Sequence, residues 1–253
     1  MCILRLWLLS CAAAAATATL CGGVPRKVDY AIVTMVGGDA KYILGANVLA
    51  HSLFASLDSH VLRHTKFIAF VDEHSGALTA MLSPAWTVCL LPRVGNVMLL
   101  KLSVWQLTGF RRVLFLDADS MSVGDVSPLL TQHDMEDIAV TPDWFDAPLT
   151  EGSNPGFNTG VFSVRPSMET YFRLHAFRLA SNREHSEQTL INDYYKGTTN
   201  FTWFPYSYNA WLNGLADGPE TKARGQWDTM YDSMKPLRHL HLIGHVPPSR
   251  CDT

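Results

Sequence analysis

Charge of either sign is scarce in this sequence. Aspartate and glutamate together number 23 and lysine and arginine 20, leaving a net charge of −3 over 253 residues. With no basic excess there is no face for bulk electrostatic capture of nucleic acid, and that class of partner is set aside. Cysteine is sparse too. Cys2, Cys11 and Cys21 lie in or beside the N-terminal segment, so only Cys89 and Cys251 remain as a candidate pair. No CxxC and no zinc-ligand spacing occurs, which excludes a structural zinc module of the usual kind. Internal repeats, linkers and low-complexity tracts beyond the first residues are also missing. What is abundant is apolar: 47% of residues are hydrophobic and 17% charged. That balance excludes disorder, and the length suits one substantial core or at most two small ones.

The N-terminal stretch MCILRLWLLSCAAAAATATLCGG carries Arg5, then an apolar run, then small residues that fit a small-x-small cleavage pattern. Residues 1–20 are therefore expected to be a signal peptide or a short type II membrane anchor. The run approaches the ~20 residues that span a bilayer. Either reading places the rest in the secretory pathway: the lumen of the ER or Golgi, or secreted. Asn200-Phe201-Thr202, a glycosylation sequon, agrees with this.

Further on, strands and helices alternate. VDYAIVTMV (Val28–Val36), KFIAFV (Lys66–Val71), WTVCLLP (Trp86–Pro92) and RVLFL (Arg112–Leu116) are expected as buried strands. Tyr42–Leu57 has helical periodicity, with Ile43, Ala46, Ala50, Leu53, Phe54 and Leu57 on one face. A second helix is expected over Met98–Thr108. Such alternation implies parallel pairing in an α/β sheet. The second half is expected to hold a loop over a site (Thr141–Gly156), a strand (Phe157–Pro166), helices at Ser167–Ser181 and Ser186–Tyr195, and a late strand at Leu237–His245.

Chemistry concentrates at strand ends. Asp117 and Asp119 follow directly on VLFL, where ligands sit in open α/β sheets. Two carboxylates facing one point raise each other's proton affinity unless a cation neutralises them. A divalent metal, Mn²⁺ or Mg²⁺, would do so; a plain solvated turn is the alternative. In HLHLIGH, His239 and His241 share one strand face, and imidazole suits Mn²⁺ as a further ligand, although a satisfied core histidine is the commoner case. Lys101 stands in an apolar helix and needs an anion, unless it snorkels to solvent. Asn158-Thr159-Gly160 enters a strand. Asn158 offers donor and acceptor atoms suited to sugar hydroxyls, Gly160 permits close backbone approach, and a simple turn is the alternative. Glu187 and Gln188 begin a helix, where dipole chemistry alone would also account for them.

In order along the chain, KLxxWxLTxFxxVLFLDAD, PDW, FNTGVF…RPS, EQTLIN and HLIG resemble the glycogenin-like glycosyltransferases of family 8, as does TMVGGDAKYILGANVLAHSL near the start. The resemblance implies a single GT-A domain over residues 28–250, Rossmann-like, with a mixed and mainly parallel central sheet. It implies a retaining hexosyltransferase that uses a UDP-sugar, UDP-glucose or UDP-galactose being favoured, and Mn²⁺, with Mg²⁺ as substitute. Asp117, Asp119 and His241 become the metal ligands. Thr34 and the residues beside it, with Tyr42, would line the uridine pocket. Ala118, Asn158, Thr159, Gly160 and Gly244 would complete the donor site, and Lys101, Glu187 and Gln188 would stand nearest the chemistry. The acceptor is left open among glycan, protein, lipid and polyol; a homodimer is compatible, and membrane contact is expected only through an N-terminal anchor. Two departures stand out. Glu187 replaces the family's aspartate, and Pro247 replaces the lysine that would grip the diphosphate. Pro247 favours a second expectation, a sugar- or nucleotide-binding member without turnover. A third, a haloacid-dehalogenase-type phosphatase with Asp117 as nucleophile and Asp119 as acid/base, lacks the later paired acidic motif.

Overall fold

The computed structural model describes residues 28–37, 40–92, 96–132, 134–143, 156–181, 185–211 and 236–241. Its strands are β1 (Tyr30–Val36), β2 (Thr65–Asp72), β3 (Thr87–Leu91), β4 (Arg112–Leu116), β5 (Ser120–Ser122), β6 (Ile138–Pro142), β7 (Phe157–Val164), β8 (Phe201–Trp203), β9 (Ala210–Trp211) and β10 (His239–His241). The α-helices are α1 (Lys41–Ser56), α2 (Ser59–Arg63), α3 (Pro128–Thr131), α4 (Met168–Ala180) and α5 (Glu187–Tyr195). Three 3₁₀ segments, Glu73–Met81, Val97–Gln106 and Tyr206–Tyr208, complete the set.

Seven strands form one sheet in the order β3-β2-β1-β4-β7-β6-β8. β3, β2, β1 and β4 run parallel, as do β6 and β8, while β7 is antiparallel to both of its neighbours. This is the expected mixed, mainly parallel sheet. β1 is fully buried, and its side chains divide by the strand period of two: Ala31, Val33 and Met35 enter one apolar layer, and Tyr30, Ile32 and Val36 the other. One layer is filled by Trp105, Phe115 and Phe162, whose rings stack with centroids 5.1 and 5.8 Å apart, together with Leu174 of α4 and Leu190 of α5. The other is filled by α1. On α1 the buried positions are Ile43, Ala46, Leu49, Ala50 and Leu53. Phe54, expected on that face, is 48% exposed and stacks on Phe67 from the rim.

Two features depart from the sequence reading. The helix expected at Met98–Thr108 winds instead as 3₁₀ turns over Val97–Gln106, begun by Asn96, whose side chain accepts the Met98 N–H. Every residue from Leu100 to Gln106 is buried, as suits a segment that is apolar all round. A second sheet, in the order β5-β10-β9, also stands apart from the first. It carries the late histidines across to the end of β4.

Candidate active site

β4 ends at Leu116, and the Asp117 N–H donates to the Gly160 carbonyl at 2.9 Å, extending the contact with β7 by one step. The chain then turns. The Ser120 hydroxyl donates to the Asp117 carbonyl at 2.5 Å and closes the turn before β5. Asp117 and Asp119 thus converge through a turn beyond the end of β4. Ala118 between them is buried. Its carbonyl oxygen would lie 2.2 Å from a Cβ on Gly45, so only glycine at that place on α1 lets the turn settle.

β10 pairs antiparallel with β5, setting His241 opposite Ser120. His241 Nε2 lies 3.3 Å from Asp119 Oδ1 and 3.6 Å from Asp117 Oδ2. One ligand atom from each of the three residues falls within 4.8 Å of the others, a grouping able to hold a metal ion. A Cβ on Gly160 would stand 2.2 Å from the His241 ring, so the close approach expected at this glycine is made by the imidazole. His239 shares the face but is fully buried, and neither of its ring nitrogens has a partner among the described residues. His241 is therefore the histidine that meets the carboxylates.

Lys101 is 1% exposed, which rules out snorkelling. Its Nζ lies 2.8 Å from Asp117 Oδ1 and 3.0 Å from Glu187 Oε1, donates to the Thr159 carbonyl at 3.5 Å, and sits 5.0 Å from the centroid of Phe115. Burial alone would lower its pKa; the Asp117 and Glu187 carboxylates outweigh that and hold it above the ordinary lysine value. Burial also pushes the Asp117 carboxyl up, against the pull of Lys101 and His241. At Asp119, burial is outweighed by the hydrogen bond and charge of His241, which keep the carboxyl below its usual range.

α5 brings the other expected pair. Ser186 caps it, accepting the Thr189 N–H at 3.1 Å. Asn192, one turn on, accepts the Phe157 N–H and donates to the Phe157 carbonyl, tying α5 to the start of β7. Glu187 and Gln188 then face Thr159: its hydroxyl donates to Glu187 Oε1 at 3.2 Å, and its N–H to Gln188 Oε1 at 3.1 Å. Gln188 Nε2 donates to Asp143 Oδ2 at 2.5 Å. Asp143 and Asn209 are the residues of this cluster without an assigned role in the sequence reading. Asp143 stood in the PDW motif, whereas Asn209 lies in an aromatic stretch with no signal. Thr34 is fully enclosed in β1, and Tyr42 is half-buried in the first turn of α1. Gly244, Pro247 and Cys251 lie outside the described residues, as do residues 1–20 and most of the expected 141–156 loop. Among the described residues no helix is long and apolar enough to cross a membrane.

No protein-family model matches the chain. It is 29% identical over 244 residues to glycogenin-1 of Mus musculus, an alignment covering 87% of this chain and 65% of that protein. It is 24% identical over 220 residues to galactinol synthase 1 of Solanum lycopersicum, covering 77% of this chain and 69% of the relative. The chain thus spans just under two thirds of the mouse glycogenin's length. Among solved structures it is similar to the galactosyltransferase LgtC in complex with donor and acceptor sugar analogues, at a TM-score of 0.61 and 14% identity over 86% of this chain and 88% of that one. Over most of its length, then, the chain is similar to glycogenin and galactinol synthase, proteins of the glycogenin-like glycosyltransferases of family 8, and it carries the GT-A fold.

Proposed function

We propose that this protein is a retaining glycosyltransferase that moves a hexose from a UDP-sugar, with UDP-glucose or UDP-galactose favoured, to an acceptor of glycan, protein, lipid or polyol class. Mn²⁺, or Mg²⁺ in its place, would be held by Asp117, Asp119 and His241. The observation that carries the reading is the convergence of these three residues at the carboxyl end of β4. The donor set fits: two carboxylates and an imidazole suit such a cation better than a soft, thiophilic one. The charge fits as well. Among the described residues, Asp117, Asp119 and Glu187 gather about the single Lys101 ammonium, an acidic excess that a divalent cation would offset.

When bound, the cation would stabilise the departing UDP diphosphate as a Lewis acid. The chain's own residues prepare the place. Lys101 fixes Asp117 and Glu187 relative to each other, so two elements far apart in sequence present their carboxylates together. Gln188 and Asp143 form an amide–carboxylate pair beside them, rich in acceptors for sugar hydroxyls. Glu187 reaches one methylene further than the family's aspartate, which bears on donor choice. A secretory location is proposed from the N-terminal apolar run and the sequon, whose Asn200 is exposed just before β8.

The test is a panel of UDP-sugars screened for Mn²⁺-dependent UDP release, with Asp119→Asn as control. Release from one hexose donor that the control lacks is the expected result. Pro247 favours a second reading, a member that binds UDP without turnover. Mn²⁺-dependent UDP binding with no release from any donor would select it.

A further inference from the structure

We infer that Asn158 and Asn209 act as positioning residues that fix the tautomer of His241, and so decide which ring nitrogen is offered to the metal. The inference rests on the metal reading above, but not on sugar transfer.

The assignment follows from proton bookkeeping that starts at the backbone. The Gly160 N–H can only donate, and it lies 2.9 Å from Asn158 Oδ1, so that atom is an acceptor. The Asn209 atom 2.7 Å from the same oxygen must then be a donor, its Nδ2, which also donates to Thr141 Oγ1 at 2.9 Å. The remaining Asn209 atom is Oδ1, and it faces His241 Nδ1 at 3.1 Å. An amide oxygen only accepts, so His241 Nδ1 carries the proton. In the neutral ring, the form a metal ligand takes, Nε2 is left with its lone pair on the side of Asp119 and Asp117; the hydrogen bond and charge that act on Asp119 belong to the protonated ring. Asn158, Asn209 and His241 are each 4–5% exposed, so water does not compete for these bonds. Gly160 serves twice: its amide begins the relay, and its lack of a side chain makes room for the ring the relay orients. The relay joins β7, the segment before β9, and β10, and so ties the small sheet to the large one. Asn158 Oδ1 is occupied by two internal donors, which assigns that oxygen to the relay and not to a sugar hydroxyl.

The experiment uses the full chain and two measurements. The first is the ¹⁵N spectrum of the metal-free protein labelled at histidine, recorded at about pH 9, above the ordinary imidazole range. The expected result is a protonated Nδ1 and an unprotonated Nε2 for His241. The second is Mn²⁺ affinity by titration calorimetry. Asn209→Leu is expected to weaken binding about tenfold to a hundredfold, the usual cost of losing a partner behind a metal-ligating histidine. Asn158→Asp keeps an acceptor for both Gly160 N–H and Asn209 Nδ2, and is expected not to weaken it. A protonated Nε2 with a bare Nδ1 in the wild-type protein would overturn the inference, and so would wild-type Mn²⁺ affinity in Asn209→Leu. Should Asn209→Leu fail to fold, the wild-type spectrum decides alone. A wild-type chain that binds no Mn²⁺ would instead overturn the metal reading, while the spectrum still settles the tautomer.

Discussion

Lys101 is a charge buried where apolar side chains surround it, and its cost is met by two carboxylates. Replacing it with methionine keeps the volume and strands Asp117 and Glu187 without their counter-charge. Removing one partner of a buried ion pair typically costs about 3–5 kcal/mol. Lys101→Met is expected to lower unfolding stability by that order in urea titrations, and adding Glu187→Gln should restore part of it. Because the folded pKa of Lys101 is raised, its contribution is fully present below the unfolded value and is lost only as pH rises through the folded one. Gly45 gives a prediction whose sign separates local from tertiary reasoning. Helix propensity alone favours alanine over glycine by about 1 kcal/mol. Here a Cβ would meet the Ala118 carbonyl at 2.2 Å, and backbone does not yield as a flexible side chain does. Gly45→Ala is therefore expected to push the turn bearing Asp117 and Asp119 away from α1. Mn²⁺ affinity measured by calorimetry should fall by about tenfold or more, the scale of losing a positioning contact. A more stable protein with unchanged metal binding would show that propensity prevails.

At the scale of elements, legibility followed length and periodicity. β1, β2, β4 and α1 are long, apolar and regular, and their places could be read within a residue or two. β5 and β9 span three and two residues, too short for any period to appear, so the late strand holding β10 was expected but the second sheet it joins was not. Alternation in HLH placed both histidines on one face but could not tell which meets a carboxylate, because that depends on the pairing of β10 with β5. The same pairing leaves His239 opposite Ser122, whose hydroxyl also has no partner among the described residues. Burial depresses the His239 pKa to about 3, with the nearby His241 adding to the effect. Burial likewise brings His175 of α4 down to about 4. A depressed histidine favours the folded state above the unfolded pKa of about 6.5 and loses that support as pH falls toward the folded value. Stability is thus expected to decline between about pH 6.5 and 3, apart from the carboxylates' own contributions. His239→Val removes one of these groups together with two buried nitrogens lacking partners, a change that is often neutral or stabilising. Thermal unfolding across that pH range should show a shallower decline in His239→Val than in the wild type. Equal slopes would mean that His239 is satisfied or solvated at acid pH.

For the whole molecule, the strand order places the chemistry. β1 leads to β2 on one side, while β4 returns to its other side, so the order of strand addition reverses between the parallel strands β1 and β4. At such a switch point the carboxyl ends open into a crevice. The Asp117–Asp119 turn stands at its lip, α5 brings Glu187 and Gln188 from one side, and the small sheet brings His241 from the other. None of these pieces binds a cation alone, since each supplies at most two ligands. Metal binding at these three residues would therefore be coupled to the docking of the small sheet against the large one, and a cation that binds only the assembled form would stabilise it. At a hundred times its dissociation constant such a ligand adds about 2.7 kcal/mol. For a chain of this size that corresponds to a rise in Tm of roughly 5–10 °C. Thermal unfolding with Mn²⁺ against a chelator should show this rise in the wild type. Asp119→Asn should abolish it while leaving the metal-free Tm nearly unchanged, because the Asp119 side chain is 43% exposed and its neutral amide can still meet His241. His241→Ala should abolish the rise as well, whereas His239→Val should keep it, since His239 lies behind the site and not in it. If Asp119→Asn kept the full rise, the cation would be bound elsewhere and the assembled site would have no metal to explain its three converging ligands.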